Sequence, residues 1–265
     1  MEPLRIPSEE EEGQYDHHKT LARVASILKD PAESSRPLSL SLKGNPVDAN
    51  RSRAGDELVT KLLTLLSENP NNLTSLDLSN TGMLGAAHAK VNQLLAQTST
   101  LKTLHLAGNR VSGSTLQGLI SALEANTSLR ELDLAANRIK NSSILKGQWP
   151  GGQILGSNTT VTSLNLSWNG IPGDFGSLGA LAANRSLVDL DLKGNVLFGT
   201  GEAFAKVLGE NTCLQSLDLS YNQIGITDEG IGELFGALHG NTTLTYLGFS
   251  GAFAAPPAPG CHCDP

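Results

Sequence analysis

The stretch "LHLAGNRV" at residues 104–111 places two leucines around His105 and stops at Asn109, and this spacing returns along most of the chain. It reads "LTSLDLSNT" from Leu73, "LKTLHLAGN" from Leu101, "LRELDLAAN" from Leu129, "VTSLNLSWN" from Val161, "LVDLDLKGN" from Leu187 and "LQSLDLSYN" from Leu214. A degenerate first copy, "PLSLSLKGN", begins at Pro37, and a decayed last one, "LTYLGFSGA", at Leu244. From Leu73 onward the starts step by 28, 28, 32, 26, 27 and 30 residues, the regularity of a solenoid with about eight coils.

Within one copy the alternation L-x-L has period two, so Leu104 and Leu106 share one side of a short strand while Thr103, His105 and Ala107 share the other. Asn109 then turns the chain. Its amide can donate to and accept from backbone groups of the turn and can tie one coil to the next. The same asparagine stands at Asn45, Asn137, Asn169, Asn195 and Asn222, with Thr81 and Ala252 as the exceptions. Between strands the period becomes helical: Leu116, Leu119, Ile120 and Leu123 in "STLQGLISALEAN", and Ile231, Leu234, Phe235 and Leu238 in "EGIGELFGALHGN", each trace one apolar face. Every such helix ends at an Asn followed by a small or polar pair. One strand and one helix per coil predict an α/β right-handed solenoid, a horseshoe with parallel strands on its concave face and helices on its convex face.

In motif and phase these copies resemble the leucine-rich repeat family, specifically the ribonuclease-inhibitor-like subtype with long repeats and a full helix. The resemblance covers residues 37–250. It is shared by ribonuclease inhibitor, by the sensor regions of NOD-like receptors and by Ran GTPase-activating proteins. What it implies is a preformed curved surface that recognises proteins.

Departures from the repeat are local. "NSSILKGQWPGGQILGSN" sets Pro150, Gly151 and Gly152 where a helix should run, and the following copy is the shortest, so the convex side over residues 141–184 should be the least regular. Residues 1–36 form an acidic segment in which Leu21, Val24 and Leu28 lie on one face of a capping helix. Residues 251–265, "GAFAAPPAPGCHCDP", read as a disordered tail. No capping helix follows the last strand, so the final coil is either an exposed edge or the chain is a fragment of a longer protein.

Composition narrows the function classes. The chain has 265 residues, a mean hydropathy of −0.12 and no apolar run long enough for a membrane helix. Glu9 to Glu12 stand where a secretory signal needs basic and then apolar residues, which predicts a cytoplasmic protein. A net charge of −7 without clustered Lys or Arg argues against nucleic acid, and three cysteines make no disulfide framework. "CHC" at 261–263 is short of a structural zinc site, and no cofactor motif is present. The N-x-S/T triplets at Asn72, Asn126, Asn141, Asn158, Asn165, Asn184 and Asn241 are read as the repeat's own turn chemistry.

The candidate site is the outward side of the strands. His105 would have Asp77 and Asp133 as column neighbours, but a solvated surface histidine explains it without chemistry. The outward positions include Asp77, Glu131, Asp133, Asp189, Asp191 and Asp218 against Lys43 and Lys193, with Asn165 between them, so this face carries −4 of the net −7. Either it is an acidic surface for a basic protein partner, or the acids only keep the sheet soluble; Asp133 is expected to face water. Trp168 and Tyr221 replace the small residues that precede the repeat asparagine in other copies, and should lie roughly 10 Å apart at two strand spacings. They are hot-spot residue types, or they pack on a neighbouring loop.

No repeat carries a nucleophile, phosphate loop or metal cluster of suitable spacing, so the leading expectation is a non-enzymatic scaffold that binds a protein. Ran-type activation of a small GTPase is the alternative that the resemblance implies, with Asn45, Arg51 and Arg53 of "LKGNPVDANRSRAGDELVTKLL" as its candidates and Pro46 interrupting the pattern. A receptor's sensor fragment is a third, although no P-loop occurs in these residues.

Overall fold

The structure, a computed structural model, describes residues 4–6, 17–30, 36–43, 52–68, 72–137, 139, 152–156, 158–173, 178–224 and 228–252. Among these, nine strands form one sheet in chain order: β1 (Leu4–Ile6), β2 (Leu38–Ser41), β3 (Leu73–Asp77), β4 (Thr103–His105), β5 (Glu131–Asp133), β6 (Ser163–Asn165), β7 (Asp189–Asp191), β8 (Ser216–Asp218) and β9 (Tyr246–Gly248). Every neighbouring pair is parallel. Eight helices accompany them: α1 (His17–Lys29), α2 (Ser52–Glu68), α3 (Gly85–Gln97), α4 (Gly113–Ala125), α5 (Gly152–Gly156), α6 (Leu178–Ala183), α7 (Gly201–Glu210) and α8 (Asp228–Leu238). This is an α/β leucine-rich repeat solenoid. One strand exceeds the repeat count, because Leu4–Ile6, in the acidic segment for which only a capping helix is expected, adds β1 to the edge of β2.

The period-two reading explains the core. Leu76, Leu104, Leu132, Leu164, Leu190 and Leu217 stand in register on adjacent strands, and all six are 0–1% exposed. Leu78, Leu106, Leu134, Leu166, Leu192 and Leu219 make a second buried row. Each side chain withdrawn from water stabilises by about 2 kcal/mol, and the gain accrues only because the coil on either side closes the gap. On α4 the expected face, Leu116, Leu119, Ile120 and Leu123, is buried. On α8 only Leu234 is fully buried, and Phe235, expected on the same face, is 45% exposed because no further coil packs beside it among the described residues. The convex side is least regular where α5 and α6 run for only five and six residues. Pro150 and Gly151 lie outside the described residues.

Two ladders of asparagine hold the coils in register. At the strand end the Asn137 Oδ1 accepts from the Asn109 and Val111 N–H groups (2.8 and 3.0 Å), while its Nδ2 donates to the carbonyls of Leu106, Leu134 and Ala135. Asn109, Asn169, Asn195 and Asn222 repeat the arrangement, all buried, each donating to its own turn and to the coil before it. Thr81 substitutes in its coil by donating its hydroxyl to the Leu78 carbonyl. Asn45 lies outside the described residues.

The second ladder stands where the helices end. The Asn126 Oδ1 accepts from the Ser128 and Leu129 N–H groups, and its Nδ2 donates to the Leu95 and Thr98 carbonyls of the previous coil. Asn184, Asn211 and Asn241 do the same, and Asn158 closes its own turn likewise. Four of the seven N-x-S/T triplets are therefore this device, and Asn211, which is followed by Thr and Cys, shows that the asparagine alone is needed. Each amide satisfies carbonyls that the preceding helix leaves without an intrahelical partner.

Candidate functional site: the concave face and its loop edge

Outward strand positions fall into two columns. In the first, Asp77, His105, Asp133, Asn165, Asp191 and Asp218 are neighbours in strict sequence. In the second, Glu131, Ser163, Asp189, Ser216 and Tyr246 follow one another. Together they line an open groove of about 350 Å³ whose walls include His105, Glu131, Asp133, Asn165, Asp189, Asp191, Asp218 and Tyr246. Tyr246, 52% exposed, Ser163 and Ser216 also line the groove; the sequence reading places them at outward strand positions without including them in the candidate site.

The first column has work inside the fold. Asp77, Asp133, Asp191 and Asp218 each accept, through Oδ1, the N–H two residues ahead, at 2.8–2.9 Å. Asn165 accepts the Ser167 N–H in the same way at 2.9 Å. The "LDL" acids thus close the turn between strand and loop, which a short carboxylate or amide can do and a longer side chain cannot. Asp133 is accordingly half-buried, where the sequence reading had it facing water. Burial raises its pKa above the ordinary aspartate range; the Ala135 N–H and His105 pull it back, and Asp77 and Glu131 add to the rise. Asp191 is raised too, by burial first, with the Lys193 N–H opposing and the neighbouring Asp218 reinforcing.

His105 stands between Asp77 and Asp133 in the column, yet its Nε2 pairs with the Glu131 Oε1 at 2.9 Å, diagonally across to the second column. Its side chain and that of Glu131 are 30% and 48% exposed, so the pair is a solvated surface contact. No group of three His, Cys, Asp or Glu side chains able to hold a metal ion occurs among the described residues. None of their helices is long and apolar enough to cross a membrane.

At the loop edge, the residue before each described ladder asparagine has a positive φ: 54° at Ala136, 56° at Trp168, 67° at Gly194, 55° at Tyr221 and 67° at Gly108. Glycine meets this conformation without penalty, whereas an aromatic there is strained by about 1–2 kcal/mol. The side chain of one coil lies over the glycine of the next. A β-carbon on Gly194 would collide with the Trp168 ring, and one on Gly251 would come within 2.9 Å of the Tyr221 Cδ1. Trp168 and Tyr221 nevertheless stay 42% and 38% exposed. Their ring centroids are 6.0 Å apart with planes 32° from parallel, closer than two strand spacings, because the indole reaches across Gly194 toward its partner. The Lys193 Nζ sits 5.5 Å from the centre of the Tyr221 ring.

Of the residues named for a GTPase-directed role, Asn45 and Arg51 lie outside the described residues and Arg53 falls on α2.

Comparison with known proteins agrees with this architecture. One leucine-rich repeat family model matches residues 125–146, 157–174 and 210–235, and a second matches residues 101–123. The leucine-rich repeat-containing protein 45 of Gallus gallus is 39% identical over 71 residues, 26% of this chain and 11% of that protein, so the chain spans about a tenth of that relative's length. The crystal structure of the leucine-rich repeat-containing protein LegL7 from Legionella pneumophila superposes with a TM-score of 0.53 at 23% identity, covering 92% of this chain and 72% of that one. With its repeating leucines, the partial matches to leucine-rich repeat family models and one parallel sheet in chain order, this chain has the leucine-rich repeat fold.

Proposed function

We propose that the protein is a non-enzymatic scaffold that recognises a protein partner with its concave face and adjoining loops. The observation that carries this reading is the open groove across β4 to β9, acidic through Glu131, Asp133, Asp189, Asp191 and Asp218 and lined at its end by the half-exposed Tyr246. A rigid curved surface binds without an ordering cost, and its charge favours a partner with a basic patch. Within the family, repeats of about 28 residues with a helix in most coils fit the ribonuclease-inhibitor-like subtype, and the reading places the protein in the cytoplasm.

A photo-crosslinking amino acid tests it. Placed at Ser163 or Ser216 in the groove, it should capture a discrete partner protein from the native cell. At Gln117 or Lys206, exposed on the convex helices α4 and α7, it should not. Capture of that partner only from the convex positions would overturn the proposal.

A further inference from the structure

We infer that Trp168 and Tyr221 form a platform for an arginine side chain of the partner, with the acid column beside it holding the charge; the inference rests on the concave-face reading and makes it specific. Four observations converge. Both rings occupy a left-handed backbone position that glycine fills at lower cost, so their presence is a structural expense that turn formation does not require. Gly194 and Gly251 support one side of each ring, since a side chain at either position would meet it, and 42% of Trp168 and 38% of Tyr221 still face outward. Three residues before Gly194 and Tyr221, the neighbouring Asp191 and Asp218 present carboxylates to the groove. Finally, the chain's own Lys193 ammonium lies 5.5 Å from the Tyr221 ring centre, a cation–π distance that a partner's cation could also take up.

An ammonium and a guanidinium differ in what they can use here. Two rings 6.0 Å apart at 32° make a broad shallow surface rather than a cage, and a planar guanidinium can lie flat on it while its edge N–H groups point to a carboxylate. A lysine offers only a point charge and a strongly hydrated head. Lys193 itself competes for the same space, so its removal strengthens binding.

The probe is an octapeptide of alternating Gly and Arg, compared with its lysine, citrulline and glutamate counterparts. Binding to the full chain is read from the emission of Trp168 in a Trp149→Phe background. The arginine peptide should bind at least tenfold more tightly than the citrulline peptide, which keeps the plane and loses the charge, and severalfold more tightly than the lysine peptide. Trp168→Ala, read by calorimetry, and Asp191→Asn with Asp218→Asn should each weaken the arginine peptide about tenfold, and Lys193→Gln should strengthen it severalfold. Circular dichroism melts confirm that each variant is folded. Equal affinity for arginine and citrulline, tighter binding of the glutamate peptide, no effect of Trp168→Ala, or no binding of any peptide at millimolar concentration would each overturn the inference. The scaffold reading survives those results if the groove still crosslinks its partner, so the two fail separately.

Discussion

The two ends of the solenoid carry the same leucine pattern and meet different fates. At the first coil Leu38, Leu40 and Leu42 are 1–3% exposed, because β1 pairs with β2 and α1 lays the fully buried Val24 against the repeat. At the last, Leu244, Leu247 and Phe249 stay partly open, Phe235 leans edge-on against Phe249 at 5.8 Å, and no described element lies beyond β9 and α8. Their equivalents one coil earlier, Leu214, Leu217 and Leu219, are buried. Burial in such an array belongs to the pair of neighbouring coils, not to the motif, so an identical leucine stabilises by very different amounts along the chain.

The largest effect should come from the leucine row itself. Leu190→Ala leaves a cavity inside closed coils and should cost about 3 kcal/mol in urea unfolding, with Leu40→Ala close behind; Leu247→Ala, on the open end, should cost about 1 kcal/mol. A Leu247 variant as damaging as Leu190→Ala would show that something covers the last coil.

The ladders sharpen the same contrast at smaller scale. Asn137→Ala strands two buried N–H groups and removes a donor from three carbonyls, for about 2 kcal/mol, whereas Asn241→Ala, half-buried at the open end, should cost less than half of that by the same measurement. Equal costs would mean that the end coil is as tightly closed as the interior.

The smallest effect has the opposite sign. The pKa of Asp133 is raised in the fold, so its protonated form favours folding at low pH and that contribution is lost as pH rises through the folded value. Asp133→Asn should therefore stabilise at pH 7 by about 1 kcal/mol or less, a melting-temperature gain of roughly 2–4 °C, and the gain should vanish near pH 3. Asn165 shows that an amide closes this turn equally well. Melting curves that fall at pH 7 would show that the Asp133 charge is favourable in its column.

Much of the fold was legible because the repeat states each local choice many times over. Leu104, Leu106 and Asn109 recur with one spacing, and period-two alternation admits only one side for the core. The acidic concave face followed directly from reading the other side. What escaped were features without a repeating signal or with a partner far along the chain: β1 is three residues of a segment that shows no motif, and the pairing of His105 with Glu131 rather than Asp77 or Asp133 depends on side-chain reach across 26 residues.

By itself, then, the sequence determined the coil, its inward leucines, its asparagine turns and the sign of charge on the outward face, since all of these arise from periodicity within one repeat. The tertiary structure alone decided the rest. Stacking one coil on the next buried Asp133 enough to raise its pKa, exposed Phe235 for want of a neighbour, and laid Trp168 over Gly194 within 6.0 Å of Tyr221. Those outcomes depend on contacts between residues one or two coils apart along the chain, and such contacts exist only after the coils have closed on one another.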